Sequence, residues 1–442
     1  MQCTKTSFGT SILVILTMVL LMMYYTDHKP TTHLESHTSV PHHRHKTQGN
    51  ITEDCKIHVE SLVRKMMESY GLSEKTRGEG TLNSAKNVST RGSNTTNIID
   101  KNVRKVVLAY TMYFGQKPWG WMKNTHEFNH WQGVKCPYYN CELTFERRDR
   151  PRSDALIFHA RDMPFIDTLR YALERKSPTQ KWIYFAMESP MNNPLTSRFN
   201  SMFNWIMTYR SDSDIFRPYS YYFESKHIPL VQDVKEYMEG KDRLVFWASS
   251  RCGLMRDKFV KKLLEYMKVD VFGACKKAVG ASNKDKCPKN SERCEKKLKR
   301  YKFELALENS YCVDYVTEKY WDALKRGVVP VVLGGANYSK KDIAIPGSFI
   351  NAMDFKTVKK LAEYLIYLHK NETAYLEYFK WKNKYRIVDY PPWNCILCAR
   401  LHLDNKPKVY TWLDTIWNAN KQCGIHRKEL QKMVRPRPRT FE

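Results

Sequence analysis

The chain has 442 residues, 42% of them hydrophobic and 13% aromatic, enough to build real cores and too apolar for a wholly disordered protein. Its 73 Lys and Arg against 46 Asp and Glu leave a formal charge of +27, yet no zinc-finger, RNA-recognition or basic-zipper pattern accompanies it. The excess is spread along the chain, which suits anionic small substrates or a membrane surface, so no nucleic-acid partner is expected.

Residues 6–26 carry no charge around "ILVILTMVLLMMYY", close to the ~20 residues a helix needs to cross a bilayer. No small-x-small cleavage site follows, so the segment reads as an uncleaved signal anchor behind a cytoplasmic tail of residues 1–5. Lys5 on one side and His28 and Lys29 on the other barely orient it. Sequons do: Asn50, Asn87, Asn94, Asn337 and Asn371 each open an N-x-S/T triplet beyond the anchor, as do eleven of the twelve cysteines, so the bulk is expected in an oxidising lumen.

Residues 27–103 are rich in Thr, Ser, His, Asn and Gly, as a solvated stem would be. Within it Leu62, Val63, Met66, Met67 and Tyr70 keep helical spacing before Gly71, giving a short amphipathic helix that packs back or self-associates into a homodimer. Beyond it, "KVVLAYTMYFG", "DALIFHARDMP" and "KWIYFAMESP" are apolar runs ending in polar residues, and "RLVFWASS", "VDVFG", "YKFELALEN" and "VVPVVLGG" form a second series. Two successive α/β layers are expected, 104–240 and 241–385, with a site in the cleft between them and a cysteine-containing segment over 386–442.

The cysteines suggest local disulfides, Cys136 with Cys141 and Cys395 with Cys398 of "CILC". A lone C-x-x-C is half a zinc site and lacks the strand-to-helix setting of a redox motif. Eleven is odd, so one luminal thiol is left over or bridges two chains.

The stretch "ENSYCVDYVTEKYWDALKRGVVPVVLGG" reads as a compact βαβ unit. Thr317 serves as N-cap, Val316, Tyr320, Ala323 and Leu324 share a helical face, and Gly327 after Lys325 and Arg326 stops the helix. Free N–H groups at that helix start, together with Lys319, could meet a phosphate; an ordinary surface ion pair between Glu318 and Lys319 fits the spacing equally. Asp212 and Asp214 of "DSD" could hold Mn²⁺ against a nucleotide diphosphate, although carboxylates there are more often turn residues.

"FAMESP", "TYRSDSDIFRPYS", "VDVFGAC", "RYKFELALENSYCVDYVTEKYWDAL" and "VPVVLGGANYS", followed by "IPGSFIN", stand in the order found in α-1,3-fucosyltransferases, and from about Lys105 to Cys398 the chain resembles that family, glycosyltransferase family 10. The resemblance implies a Golgi type II membrane enzyme of α/β class and GT-B type, with two Rossmann-like domains facing a cleft. It implies transfer of L-fucose from GDP-fucose, with inversion, to O3 of N-acetylglucosamine, without a metal needed for catalysis though Mn²⁺ or Mg²⁺ stimulates some such enzymes. By the same resemblance Glu188, at the end of "WIYFAM", is the catalytic base. GDP-fucose contacts fall on Tyr315, Glu318 and Lys319 with Asn309 nearby, on Arg256 of "SSRCGLMRDKFV", on Ser249, and on Tyr219 of "RPYS". Ser250 stands where the family commonly has Asn. "GAC" with Cys287 and Cys294, and "GGANYSK", look more like enzymes of the N-glycan core than the Lewis-type enzymes acting on N-acetyllactosamine. A catalytically silent glycan-binding or scaffold protein of the same fold is the other class, against which the presence of Glu188, Arg256, Glu318 and Lys319 argues.

Overall fold

The computed structural model describes residues 48–69, 103–163, 178–194, 197–226, 234–283, 286–288 and 291–435. The anchor expected over 6–26, and the sequons at Asn87 and Asn94, lie outside the described residues. Among the described residues no helix is long and apolar enough to cross a membrane.

Helix α1, Gln48–Ser69, opens the described chain. Cys55, Val59 and Val63, at i, i+4 and i+8, are its buried stripe. They pack with Trp131, Val134, Cys136, Phe223, Val388 and Cys395 or with the neighbouring core of Val107 and Trp393. His58 stacks on Phe223 with ring centroids 4.8 Å apart, and the Ser225 hydroxyl donates to Asp54. This part of the expected stem is therefore folded against the body; Val63, one of the apolar positions that the sequence pattern singles out, lies on this stripe, and Tyr70 lies outside the described residues.

The first sheet is built from β1 Lys105–Ala109, β2 Cys141–Thr144, β3 Ala155–His159, β4 Lys181–Ala186, β5 Trp205–Thr208 and β6 Ile215–Phe216, all parallel in the order β2-β1-β3-β4-β5-β6. After β7, Tyr221–Glu224, a second parallel sheet follows: β8 Arg243–Ala248, β9 Asp270–Phe272, β10 Tyr301–Leu307, β11 Val329–Leu333 and β12 Ile350–Asn351, in the order β9-β8-β10-β11-β12. Strands covered on both faces read as apolar runs, and β3 and β11 are buried at every position. Helix α2, Met255–Leu263, follows β8; α3, Glu318–Arg326, joins β10 to β11; and α4, Val358–Lys370, follows β12. Gly327 ends α3 at φ 71°, its N–H on the Ala323 and Leu324 carbonyls, as the sequence predicts.

The C-terminal segment returns to the first sheet. Strand β13, Tyr385–Val388, pairs antiparallel with β7, and helix α5, Trp393–Leu403, places Trp393, Leu397 and Leu401 in the core formed by Val107, Ile183 and Trp205.

The cysteine pairing differs from the local disulfides expected. Cys136 bonds to Cys395 and Cys141 to Cys398, separations of 259 and 257 residues. Cys395 and Cys398 lie three apart on α5, so their side chains emerge side by side toward the first sheet instead of toward each other. Three further disulfides, Cys252–Cys275, Cys287–Cys294 and Cys312–Cys423, leave Cys55 as the free thiol among the described residues. It is buried, and burial pushes its pKa up, which withdraws it from bridging two chains in this folded state.

Candidate active site

Both parallel sheets present their carboxyl ends to one another, the edge at which open α/β sheets gather ligands. Strand β4 leads into Glu188; β8, β10 and β11 lead into Ser249–Gly253, Glu308–Ser310 and Gly334–Gly335.

Glu188 is half-buried two residues beyond β4. Its Oε2 accepts hydrogen bonds from the Tyr315 hydroxyl at 3.2 Å and from the Asn192 side-chain amide at 3.2 Å. Tyr315 comes from the other sheet, in the loop between β10 and α3, so this bond joins the two halves. Burial, with Glu308 and Glu188 adding to it, pushes the Tyr315 pKa far above the usual phenol range, so the hydroxyl keeps its proton and serves as a donor. Tyr219 stands edge-on to Tyr315, with ring centroids 6.1 Å apart, and its hydroxyl donates to the Met187 carbonyl at 3.0 Å. The carboxylate is thus held beside two tyrosines without a fixed cation bonded to it among the described residues.

Across from it, the start of α3 carries a linked set of charges. Glu308, 1% exposed, accepts the Thr317 N–H at 2.8 Å and the Thr317 hydroxyl at 2.9 Å. Lys319 Nζ lies 3.5 Å from Glu308 Oε2 and donates to Thr317 Oγ1 at 2.7 Å and Glu318 Oε1 at 2.9 Å. Burial pushes the Glu308 pKa up, Lys319 opposing it. Burial also works against charge on Lys319, but Glu308 and Glu318 outweigh it and leave the pKa raised. Glu318, whose side chain is about half exposed, is held below the usual carboxylate range because Lys319 outweighs its burial. The ammonium is therefore charged and stationed at a helix N-terminus, the arrangement that favours an anion. Glu308, its buried counter-ion, was not singled out from the sequence; the signal available was a carboxylate directly after the strand-like run "YKFELAL", which itself carries Lys302 and Glu304.

Arg256 lies under the loop after β8. Its guanidinium donates to the Leu307 carbonyl at 2.9 Å, Ser249 Oγ at 2.9 Å and the Arg251 carbonyl at 3.0 Å. It supports the loop from below, Ser249 is a buried partner in that support, and Ser250 is exposed at the loop's surface. Cys252–Cys275 fastens the same loop to the start of the helix after β9. Gly273 is required there: at φ 85° a Cβ would fall 2.4 Å from the Ser249 carbonyl oxygen. Gly335 performs the equivalent service after β11, where a Cβ would fall 2.4 Å from the Tyr311 carbonyl carbon. Asn309 Oδ1 accepts from the Ser310 hydroxyl at 3.2 Å and faces the Asn192 amide at 3.4 Å.

The "DSD" carboxylates are already engaged in ion pairs. Arg210 donates to Asp212, while Asp214, its side chain 5% exposed, accepts from the Ile206 N–H at 2.9 Å, Tyr410 at 2.7 Å and Lys408 at 2.5 Å. Asp214 ties the C-terminal segment to β5, and Asp212 pairs with Arg210 two residues before it. Cys141, Cys398 and His402 come within ligand distance of one another, but the two sulfurs are joined in a disulfide.

Beside Glu188 on the first-sheet side runs an aromatic wall not foreseen from the sequence. Tyr113 stacks on Phe185 at 5.8 Å, Trp119 and Trp121 are 5.4 Å apart, and the Arg217 guanidinium lies 5.1 Å from the Trp121 ring. Burial pushes the Arg217 pKa down to about 10, Tyr113 and Tyr390 opposing it. His159 bonds Asp162, which accepts the Phe114 and Gly115 N–H groups at 2.8 and 2.9 Å and so fixes the loop carrying Tyr113.

The model of the fucosyltransferase N-terminal domain matches residues 102–220, and that of the glycosyltransferase family 10 (fucosyltransferase) C-terminal domain matches residues 238–417. Alpha-(1,3)-fucosyltransferase C of Drosophila melanogaster is 32% identical over 344 residues, 71% of this chain and 77% of that protein. The chain belongs to the fucosyltransferases of glycosyltransferase family 10. Other members include a human 4-galactosyl-N-acetylglucosaminide 3-alpha-L-fucosyltransferase, 36% identical over 56% of this chain and 66% of that protein, and the glycoprotein 3-alpha-L-fucosyltransferase A of Drosophila melanogaster, 32% identical over 71% of this chain and 60% of that protein. A solved α1,3-fucosyltransferase covers 66% of this chain and 85% of its own at 17% identity and a TM-score of 0.39. The two family models leave residues 221–237, which include β7, between them, where the first sheet gives way to the second. The fucosyltransferase's candidate base and its charged helix start therefore stand on different domain models.

Proposed function

We propose that this α-1,3-fucosyltransferase carries L-fucose from GDP-fucose to O3 of an N-acetylglucosamine in the N-glycan core, inverting the anomeric centre, in a two-domain arrangement of GT-B type. The observation that carries the reading is the bond between Tyr315 and Glu188, which brings a carboxylate with no cation bonded to it among the described residues, on one sheet edge, up to the charged start of α3 on the other. Glu188 accepts the proton of the acceptor hydroxyl as the new glycosidic bond forms at the fucose carbon and the bond to the β-phosphate breaks. Lys319 and the N–H groups at the start of α3 stabilise the charge gathering on departing GDP. Glu318, half-exposed beside them, is placed to accept from sugar hydroxyls. Half-buried Tyr113 and Trp121, backed by the buried Trp119, offer apolar faces to the acceptor. The chain acts from a Golgi membrane as a single-pass type II protein, a reading supported by the uncharged segment 6–26 and by the five disulfides of the described body. Asn337 is exposed and Asn371 half-buried, capping the helix that follows it, so Asn337 is the more accessible acceptor of a glycan.

Transfer to N-acetyllactosamine is the second reading, favoured by the 36% identity to the human 4-galactosyl-N-acetylglucosaminide enzyme. An assay of the full chain with GDP-fucose against a core N-glycan, N-acetyllactosamine and chitobiose separates the two. Preferred fucosylation of the core glycan is expected; preference for N-acetyllactosamine reverses the acceptor assignment, and no transfer to any glycan leaves a silent binding protein.

A further inference from the structure

We propose that Asn192 is a positioning residue that aims the catalytic carboxylate and couples it to the loop over the GDP-fucose site. The proposal rests on the reading of Glu188 as the base. Asn192 sits in the turn after Glu188, and that turn is pinned on both sides: the Asn192 and Asn193 N–H groups bond the Ser189 carbonyl at 2.9 Å, and Trp417 donates to the Asn193 carbonyl at 3.1 Å. With its backbone fixed, the side chain reaches four groups from three segments. Its Nδ2 lies 3.2 Å from Glu188 Oε2, 3.3 Å from Ser310 Oγ and 3.4 Å from Asn309 Oδ1, and its Oδ1 accepts from Arg251 at 2.7 Å.

The orientation of this amide is decided by chemistry. A guanidinium can only donate and an ionised carboxylate can only accept, so the oxygen must face Arg251 and the nitrogen Glu188; a flipped amide would lose both bonds. Arg251 in turn belongs to the loop held by Arg256 beneath it and by Cys252–Cys275 beside it. A single amide therefore connects the loop after β8, the loop after β10 and the base after β4. When the loop after β8 settles on bound GDP-fucose, Arg251 holds Asn192, and Asn192 holds the carboxylate with one oxygen engaged and the other turned toward the acceptor. Asn192 touches no reacting atom; its effect is on the geometry of the group that does, where small displacements cost large factors in rate.

The residue types make the test specific. Asn192→Asp keeps size and keeps an acceptor for Arg251 but sets a second carboxylate against Glu188, whereas Asn192→Ala removes both bonds. In the full chain, assayed with GDP-fucose and the acceptor glycan used by the wild type, both variants should lower kcat by roughly 10- to 100-fold. The KM for GDP-fucose and the calorimetric affinity for GDP should stay within about twofold of wild type, a split expected of a residue acting on the base. Arg251→Ala should lower kcat less, by roughly 3- to 10-fold, and combining it with Asn192→Ala should add nothing, because Arg251 acts on the base through Asn192. Melting temperatures report folding, and the near-isosteric Asn192→Asp gives an answer if the alanine variant does not fold. An Asn192→Asp variant with wild-type kcat, or losses from Asn192→Ala and Arg251→Ala that multiply, would overturn the proposal. Glu188→Gln assayed alongside distinguishes the failures: if it is inactive while Asn192→Asp is fully active, only the positioning role falls, and if it is itself fully active the base assignment falls and this role with it.

Discussion

Replacement of Lys319 by alanine should weaken nucleotide binding and lower stability together, because the ammonium serves two partners. Toward GDP it supplies a charge-assisted bond to phosphate, typically worth ~1.5–3 kcal/mol, so GDP affinity should fall by about 10- to 100-fold. Toward the protein it is the cation 3.5 Å from Glu308, a carboxylate with 1% exposure, on a lysine whose own side chain is 24% exposed. Breaking a buried pair from one side costs ~3–5 kcal/mol; the bonds from the Thr317 N–H and hydroxyl remain on Glu308, which argues for ~2–3 kcal/mol here. At roughly 2 °C per kcal/mol for a chain of this size, the melting temperature should drop by ~4–6 °C. The sign with pH follows from the two shifts. The Glu308 pKa is raised in the folded state, so the folded protein binds the extra proton and stability falls as pH rises from the ordinary carboxylate range toward the folded value; removing Lys319 raises that value further and deepens the fall. The Lys319 pKa is raised, so its own contribution is full below the ordinary lysine value and is lost only as pH climbs through the folded one. The deficit of Lys319→Ala should accordingly be small near about pH 4.5 and larger near about pH 7.5. Calorimetry with GDP and melting curves at both pH values, on the same preparations, test the account. GDP affinity within twofold of wild type in a folded variant would show that the lysine does not reach the phosphates, and a deficit that does not change with pH would show that it does not neutralise Glu308.

Glu188→Gln should cost ~10²- to 10⁴-fold in kcat with GDP affinity nearly unchanged, since the proton acceptor is lost and the shape kept; single-turnover rates beside GDP titrations check it. Activity should survive EDTA, because Asp212 and Asp214 are committed to Arg210, Lys408 and Tyr410; abolition by chelation with rescue by Mn²⁺ would reopen the metal reading of "DSD". Non-reducing peptide mapping should recover Cys136 with Cys395 and Cys141 with Cys398, and Cys395→Ser should lose ~2–5 kcal/mol, read by denaturant titration.

By itself the sequence determined what depends on neighbours a few residues away. Thr317 and Gly327 bound α3 where the capping pattern puts them, Val316, Tyr320, Ala323 and Leu324 are buried together, and the apolar runs become the parallel strands that lead into Glu188 and flank the helix carrying Lys319. Periodicity and capping are local, so they are legible before any fold is known. Tertiary structure alone decided which groups meet across the sheets. Glu308 becomes the partner of Lys319, Asn192 the link from Arg251 to Glu188, and Arg256 a support for the loop, through contacts that local spacing does not encode. Asp214 turned from a candidate metal ligand into an anchor for Lys408, 194 residues away. The cysteines show the reason most plainly. Cys395 and Cys398 are close in sequence, but a helix points both of them outward, and their partners are set by where Cys136, and Cys141 at the start of β2, pass the helix, more than 250 residues earlier in the chain.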